Sequence, residues 1–91
     1  MLDEDRTYMV KINDKEYEFD LLNRGEKVQL EILDAGGLAD AFPKSMEQYE
    51  WIEPKLAKIR GIKQTWTTVW HIQTESALKK VIDLLSKNGY V

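Results

Sequence analysis

Cysteine is absent from the 91 residues. That excludes a disulfide framework, a thiolate metal site and any cysteine nucleophile, and it leaves packing as the source of stability. Proline occurs only twice and no Gly/Ser or low-complexity tract interrupts the chain. Residues 1–91 are therefore expected to form one domain, with 1–6 flexible and a long loop over 34–44. No apolar run approaches the roughly 18 residues that a bilayer span requires. The stretch Met1–Thr7 lacks the basic and apolar regions of a signal peptide, so a cytoplasmic address is expected.

Chemistry-bearing residues are equally sparse. His71 is the one imidazole, and without a second histidine, a cysteine or a close D-x-D pattern there is no convergent metal-ligand set. No G-x-S-x-G, P-loop or dinucleotide fingerprint occurs, and Gly36-Gly37 alone reads as a turn. A general base at His71 would need a nucleophile and an orienting partner that nothing in the sequence nominates. His71 is read as a surface strand residue, and the chain as a protein without enzymatic activity, metal or cofactor.

What is present is an ordinary globular composition: 43% hydrophobic residues set against 32% charged ones is well away from the polar signature of disorder. The net charge of -3 hides an asymmetry. Residues 1–53 carry fourteen acids and six bases, a net of -8, whereas residues 54–91 carry two acids and seven bases, a net of +5. Opposite halves of one compact domain attract each other, and they can also orient a partner.

Hydropathy patterning predicts an α+β fold in the order βββαβα. Tyr8, Val10 and Ile12, then Tyr17, Phe19 and Leu21, then Val28, Leu30 and Ile32 alternate with polar residues across the turns Asn13-Asp14-Lys15 and Asn23-Arg24-Gly25-Glu26. This is an antiparallel meander with one buried face. After the loop, Ser45 as N-cap opens a helix over about 45–60 with Tyr49, Ile52, Leu56 and Ile59 on one stripe; Pro54 inside it predicts a kink or two short helices. Residues 62–73 read as one fourth strand, with Ile62, Gln64, Trp66, Thr68, Trp70 and Ile72 sharing a face that supplies core. A last helix starts from Thr74, buries Ala77, Leu78, Val81, Ile82, Leu84 and Leu85, and ends at Asn88-Gly89. The two helices are expected on one face of the sheet.

Three surfaces are candidates for function. The first is a protein-binding surface: Glu16, Glu18 and Asp20 on the solvent face of strand two, and an apolar patch of Leu38, Phe42 and an exposed Trp51 beside the loop. On this reading the domain is a regulator, inhibitor or accessory subunit that contacts another protein. The second is a nucleic-acid surface built from Lys55, Lys58, Arg60, Lys63, Lys79 and Lys80, with tryptophans for stacking. The third is mimicry of a nucleic-acid backbone by the acids of strand two with Glu31 and Asp3, Glu4 and Asp5. A solvated, charge-dressed sheet face is the plain alternative for those acids.

Overall fold

The computed structural model describes residues 2–32, 38–66 and 68–89, the stretch 38–46 by its backbone alone. It is an α+β fold with five strands. The chain runs β1 (Arg6–Ile12), β2 (Lys15–Arg24), β3 (Lys27–Ile32), α1 (Leu38–Leu56), β4 (Ile62–Trp66), β5 (Val69–Ile72) and α2 (Glu75–Asn88).

Two short turns build the meander. Asn13 and Asp14 both take positive φ, 51° and 67°, as a two-residue type I′ hairpin demands, and both residue types tolerate that conformation. Between β2 and β3, Gly25 sits at φ 77° and its N–H donates to Asn23 Oδ1 at 2.9 Å. Every strand pair is antiparallel, and the sheet order is β1-β2-β3-β5-β4. α1 thus carries the chain across the sheet to its far edge, and β5 folds back between β4 and β3.

The expected apolar face is the core. Val10, Ile12, Tyr17, Phe19, Leu21, Val28, Leu30 and Ile32 are all buried, joined by Ile52 and Leu56 from α1 and Ala77, Leu78, Val81 and Leu85 from α2. Thr74 caps α2, its Oγ1 accepting from the Ala77 N–H at 3.1 Å. α2 returns over the sheet to β1, where Gly89 forms an antiparallel bridge with Val10. At the other terminus Leu2 is buried and its carbonyl accepts from Asn23 Nδ2 at 2.7 Å.

Three expectations are corrected. The single strand over 62–73 is a hairpin of β4 and β5, because the chain reverses between Trp66 and Val69; the Thr68 carbonyl accepts from the Ile32 N–H at 3.1 Å and ties the second strand's start to the end of β3. The first helix begins at Leu38 and ends at Leu56, so Ser45 lies within it rather than at its cap and part of the expected 34–44 loop is helical. Pro54 falls in the last turn of one continuous helix, where its missing N–H removes only a single terminal bond, and so it does not divide the helix. The proposed loop patch lies partly outside the described residues: nothing is described for 33–37, and for Leu38 and Phe42 only the backbone is.

Candidate functional site

The helices cover one face of the sheet and leave the other open, so the open face follows from the register. Reading across the strands, Thr7 pairs with Asp20, Asp20 with Glu31, Glu31 with Val69 and Val69 with Trp66. One row therefore crosses all five strands. The neighbouring row runs Leu22, Gln29, His71 and Lys63. Lys11 faces Glu16, and Met9 faces Glu18.

Trp66 reaches this face through a bulge. Gln64 pairs with Trp70 but Trp66 pairs with Val69, so two steps along β4 match one along β5 and Thr65 is the extra residue. An inserted residue reverses the side on which every later side chain stands. Gln64 and Trp70 lie on the helix side, whereas Trp66 joins the polar side and is 66% exposed, the one large hydrophobic residue so exposed among those described. The expected burial of Trp66 is thus overturned, while Trp70 is buried as expected and stacks on Tyr49 at 6.0 Å.

The carboxylates of the open face are organised. Thr7 Oγ1 donates to Asp20 Oδ1 at 3.0 Å, and Gln29 Nε2 donates to Glu31 Oε2 at 2.7 Å. Glu18 lies two residues from Asp20 on the same strand face, and a hydrogen bond between the two carboxyls, helped by burial, raises the Glu18 pKa above its usual value. Protonation of Glu18 removes charge from the face as pH falls.

Trp51 is not an open anchor. It is half-buried, its ring 5.7 Å from that of Phe19, with Lys55 Nζ 4.2 Å above it and donating to the Trp51 carbonyl at 3.0 Å. The expectation of an exposed Trp51 fails because the α1 stripe turns this residue toward β2. The same contact occupies Lys55. Of the remaining basic candidates, Lys58 and Arg60 lie in the connection between α1 and β4, Lys63 on the open face of β4, and Lys79 and Lys80 on the exposed side of α2. They are spread over the two sides of the sheet rather than gathered along one element.

On the helix side, Gln48 is buried and its Nε2 donates to the Glu18 carbonyl at 2.6 Å, satisfying a backbone acceptor just past the last pair of β2 and β3, Phe19 with Ile32. Tyr17 is buried and its hydroxyl donates to Glu47 Oε1, with Lys15 Nζ 3.9 Å from the same oxygen. Burial first, then this bond, pushes the Tyr17 pKa up to about 12, and the bond lowers that of Glu47.

An alkaline pH dependence follows. Between pH 10 and 12 the unfolded chain loses the Tyr17 proton while the folded chain keeps it, so stability falls with rising pH by at most about 1.4 kcal/mol per unit. Urea unfolding across this range is expected to show a steeper decline for the wild type than for Tyr17→Phe. Parallel curves would show that the folded-state shift is absent.

Among the described residues no group of three or more His, Cys, Asp or Glu is arranged to hold a metal ion, and no helix is long and apolar enough to cross a membrane. Set against protein-family models, curated proteins and solved structures, the chain gives no significant match in any of the three comparisons. Trp66 is the residue that sequence reasoning assigned to the wrong side. Its only advance signal was a Thr-rich stretch that carries none of the usual turn residues.

Proposed function

We propose that this chain is a small non-catalytic domain that binds another protein in the cytoplasm, as a regulator, inhibitor or accessory subunit, through the open face of its sheet. The observation that carries this reading is Trp66, 66% exposed on a strand and in one row with Val69, Glu31 and Asp20. A rigid, exposed tryptophan with polar groups around it has the make-up of an interface hot spot and its rim. Val69, half-buried, is the direct neighbour of Trp66, and Met9 and Leu22 are half-buried farther across the same face. Trp66 takes the place of the sequence-derived apolar patch at Trp51, and the acids Glu18, Asp20 and Glu31 steer the encounter.

Two readings rank lower on the same face. A nucleic-acid platform needs several cations beside its aromatics, but on the open face of its own strand Trp66 has Lys63 alone, and its row holds Glu31 and Asp20, which repel phosphate. Mimicry of a phosphate backbone needs a continuous negative surface, and Lys11, Lys27 and Lys63 interrupt it.

The test uses the tagged chain as bait, in wild-type form, as Trp66→Ala and as a Lys79→Ala/Lys80→Ala pair. Trp66→Ala is expected to weaken capture of the bound protein at least tenfold while leaving the urea midpoint within about 0.5 kcal/mol of wild type; the lysine pair is expected to bind normally. Titration with single-stranded DNA at low salt is expected to leave tryptophan emission unchanged. Saturable quenching that disappears at high salt would instead make this a nucleic-acid-binding protein.

A further inference from the structure

We infer that the β4 edge is a strand-addition site for an extended acidic segment of another protein, one whose apolar residues occupy alternate positions. This rests on the protein-binding reading above, but it names a different surface and a partner class. β4 is the outer strand, paired only with β5, and its residues 63–66 are exposed; among the described residues no strand lies on its outer side. At the opposite edge, β1 is partly closed by the bridge from Gly89 to Val10 and by α2. Outer-strand N–H and C=O groups are a ready template for one more strand.

The edge has a groove on its helix side. Glu53, Leu56 and Ala57 from the end of α1 face Ile62, Gln64 and Trp70 across a small open slot. An added strand points successive side chains to opposite sides of the sheet. A side chain of the newcomer on the helix side, next to Ile62 and Gln64, would enter this slot, whose walls at Leu56, Ala57, Ile62 and Trp70 call for an apolar group. The intervening side chains would stand on the open face beside Lys63.

Charge selects the occupant. From Pro54 to Thr74 the chain contains no Asp or Glu, while Lys58 and Arg60 precede β4 and Lys63 lies on it, all three exposed. Acidic side chains on the open-face positions meet Lys63. A second copy of this chain is the poorer occupant, because pairing of β4 with itself brings together two strands that each carry Lys63 and no acid to complement it. The single acid in the slot, Glu53, lies on the helix wall and leaves the open-face positions to the lysine.

The probe is a blocked ten-residue peptide alternating Glu and Val, set beside a Lys/Val peptide and a Glu/Val peptide N-methylated at every second residue. The full chain is examined by hydrogen exchange and by tryptophan fluorescence. Binding of the Glu/Val peptide is expected to protect amides within 62–66, to weaken at least tenfold for the Lys/Val peptide, and to vanish for the N-methylated one. Ala57→Trp fills the slot from an exposed position and is expected to reduce binding at least tenfold with an unchanged unfolding midpoint, and Lys63→Glu to reduce it by a similar factor. Unprotected β4 amides, equal binding of the Lys/Val peptide, or unaltered affinity in Ala57→Trp would overturn the assignment. So would self-association that Ala57→Trp abolishes, since the edge then takes a second copy. If Trp66→Ala loses its captured protein while β4 stays unprotected by the peptide, the strand-addition site fails and the open-face reading stands.

Discussion

Truncating Phe19 to alanine is expected to remove about 3–5 kcal/mol of folding free energy, read as a shift of the urea midpoint. Phe19 is fully buried on β2, between β1 and β3, and its ring lies 5.7 Å from that of Trp51. The loss combines the transfer free energy of the ring, the cavity left in a close-packed interior, and the aromatic contact itself. A domain of this size has roughly 5–15 kcal/mol in all, so the variant should populate unfolded chains at moderate warming. The contrast is Trp66→Ala, a larger truncation on the open face, expected within about 0.5 kcal/mol of wild type. A loss under about 1 kcal/mol at Phe19 would mean that α1 does not pack on this part of β2.

Gly61→Ala is the second. Gly61 adopts φ 89°, and a β-carbon there would stand 2.6 Å from Thr74 Oγ1 and 3.3 Å from Ala77 Cβ. The backbone conformation alone disfavours alanine by about 1 kcal/mol. The contact adds to this, because Thr74 is held as the cap of α2 and the Gly61 carbonyl accepts from the Gln73 N–H at 2.7 Å, so neither side can withdraw freely. A total of about 2–4 kcal/mol is expected, combining the backbone penalty with strain at an over-determined position. Gly25→Ala separates the two causes: it shares the positive φ, 77°, but has nothing within 4 Å of the added carbon. It should cost about 1 kcal/mol. Equal losses at the two positions would show that the Thr74 contact yields without cost.

The meander was legible because its signals agree. Strict alternation marks Val10 and Ile12, Tyr17 to Leu21 and Val28 to Ile32, and the Asn13-Asp14 turn has the chemistry of a tight hairpin. α2 was legible for the same reason, with its Thr74 cap and its broad stripe. The hairpin of β4 and β5 was not. In sequence Trp66 is followed by Thr67 and Thr68, β-branched residues that favour strands, so local preference continued the strand where the chain turns between β4 and β5. The bulge at Thr65 then put Trp66 on the side opposite to the one its spacing implies. The start of α1 was obscured by Pro43, which reads as loop punctuation yet lies within the helix.

For the candidate site the division is sharper. The acids of β2 could be assigned to the solvent face from alternation alone, and Glu18, Asp20 and Glu31 stand there together. Which aromatic residue accompanies them could not, since Trp51, Trp66 and Trp70 differ in exposure through packing and register rather than through local sequence. By itself the sequence determined the α+β class, the core of the first three strands, the last helix and the absence of cysteine chemistry, because each depends on periodicity or composition. Only the tertiary structure decided the fifth strand, the outer position of β4, the slot beside α1 and the exposure of Trp66. Those depend on long-range pairing, where one extra residue reverses a face and no local preference records it.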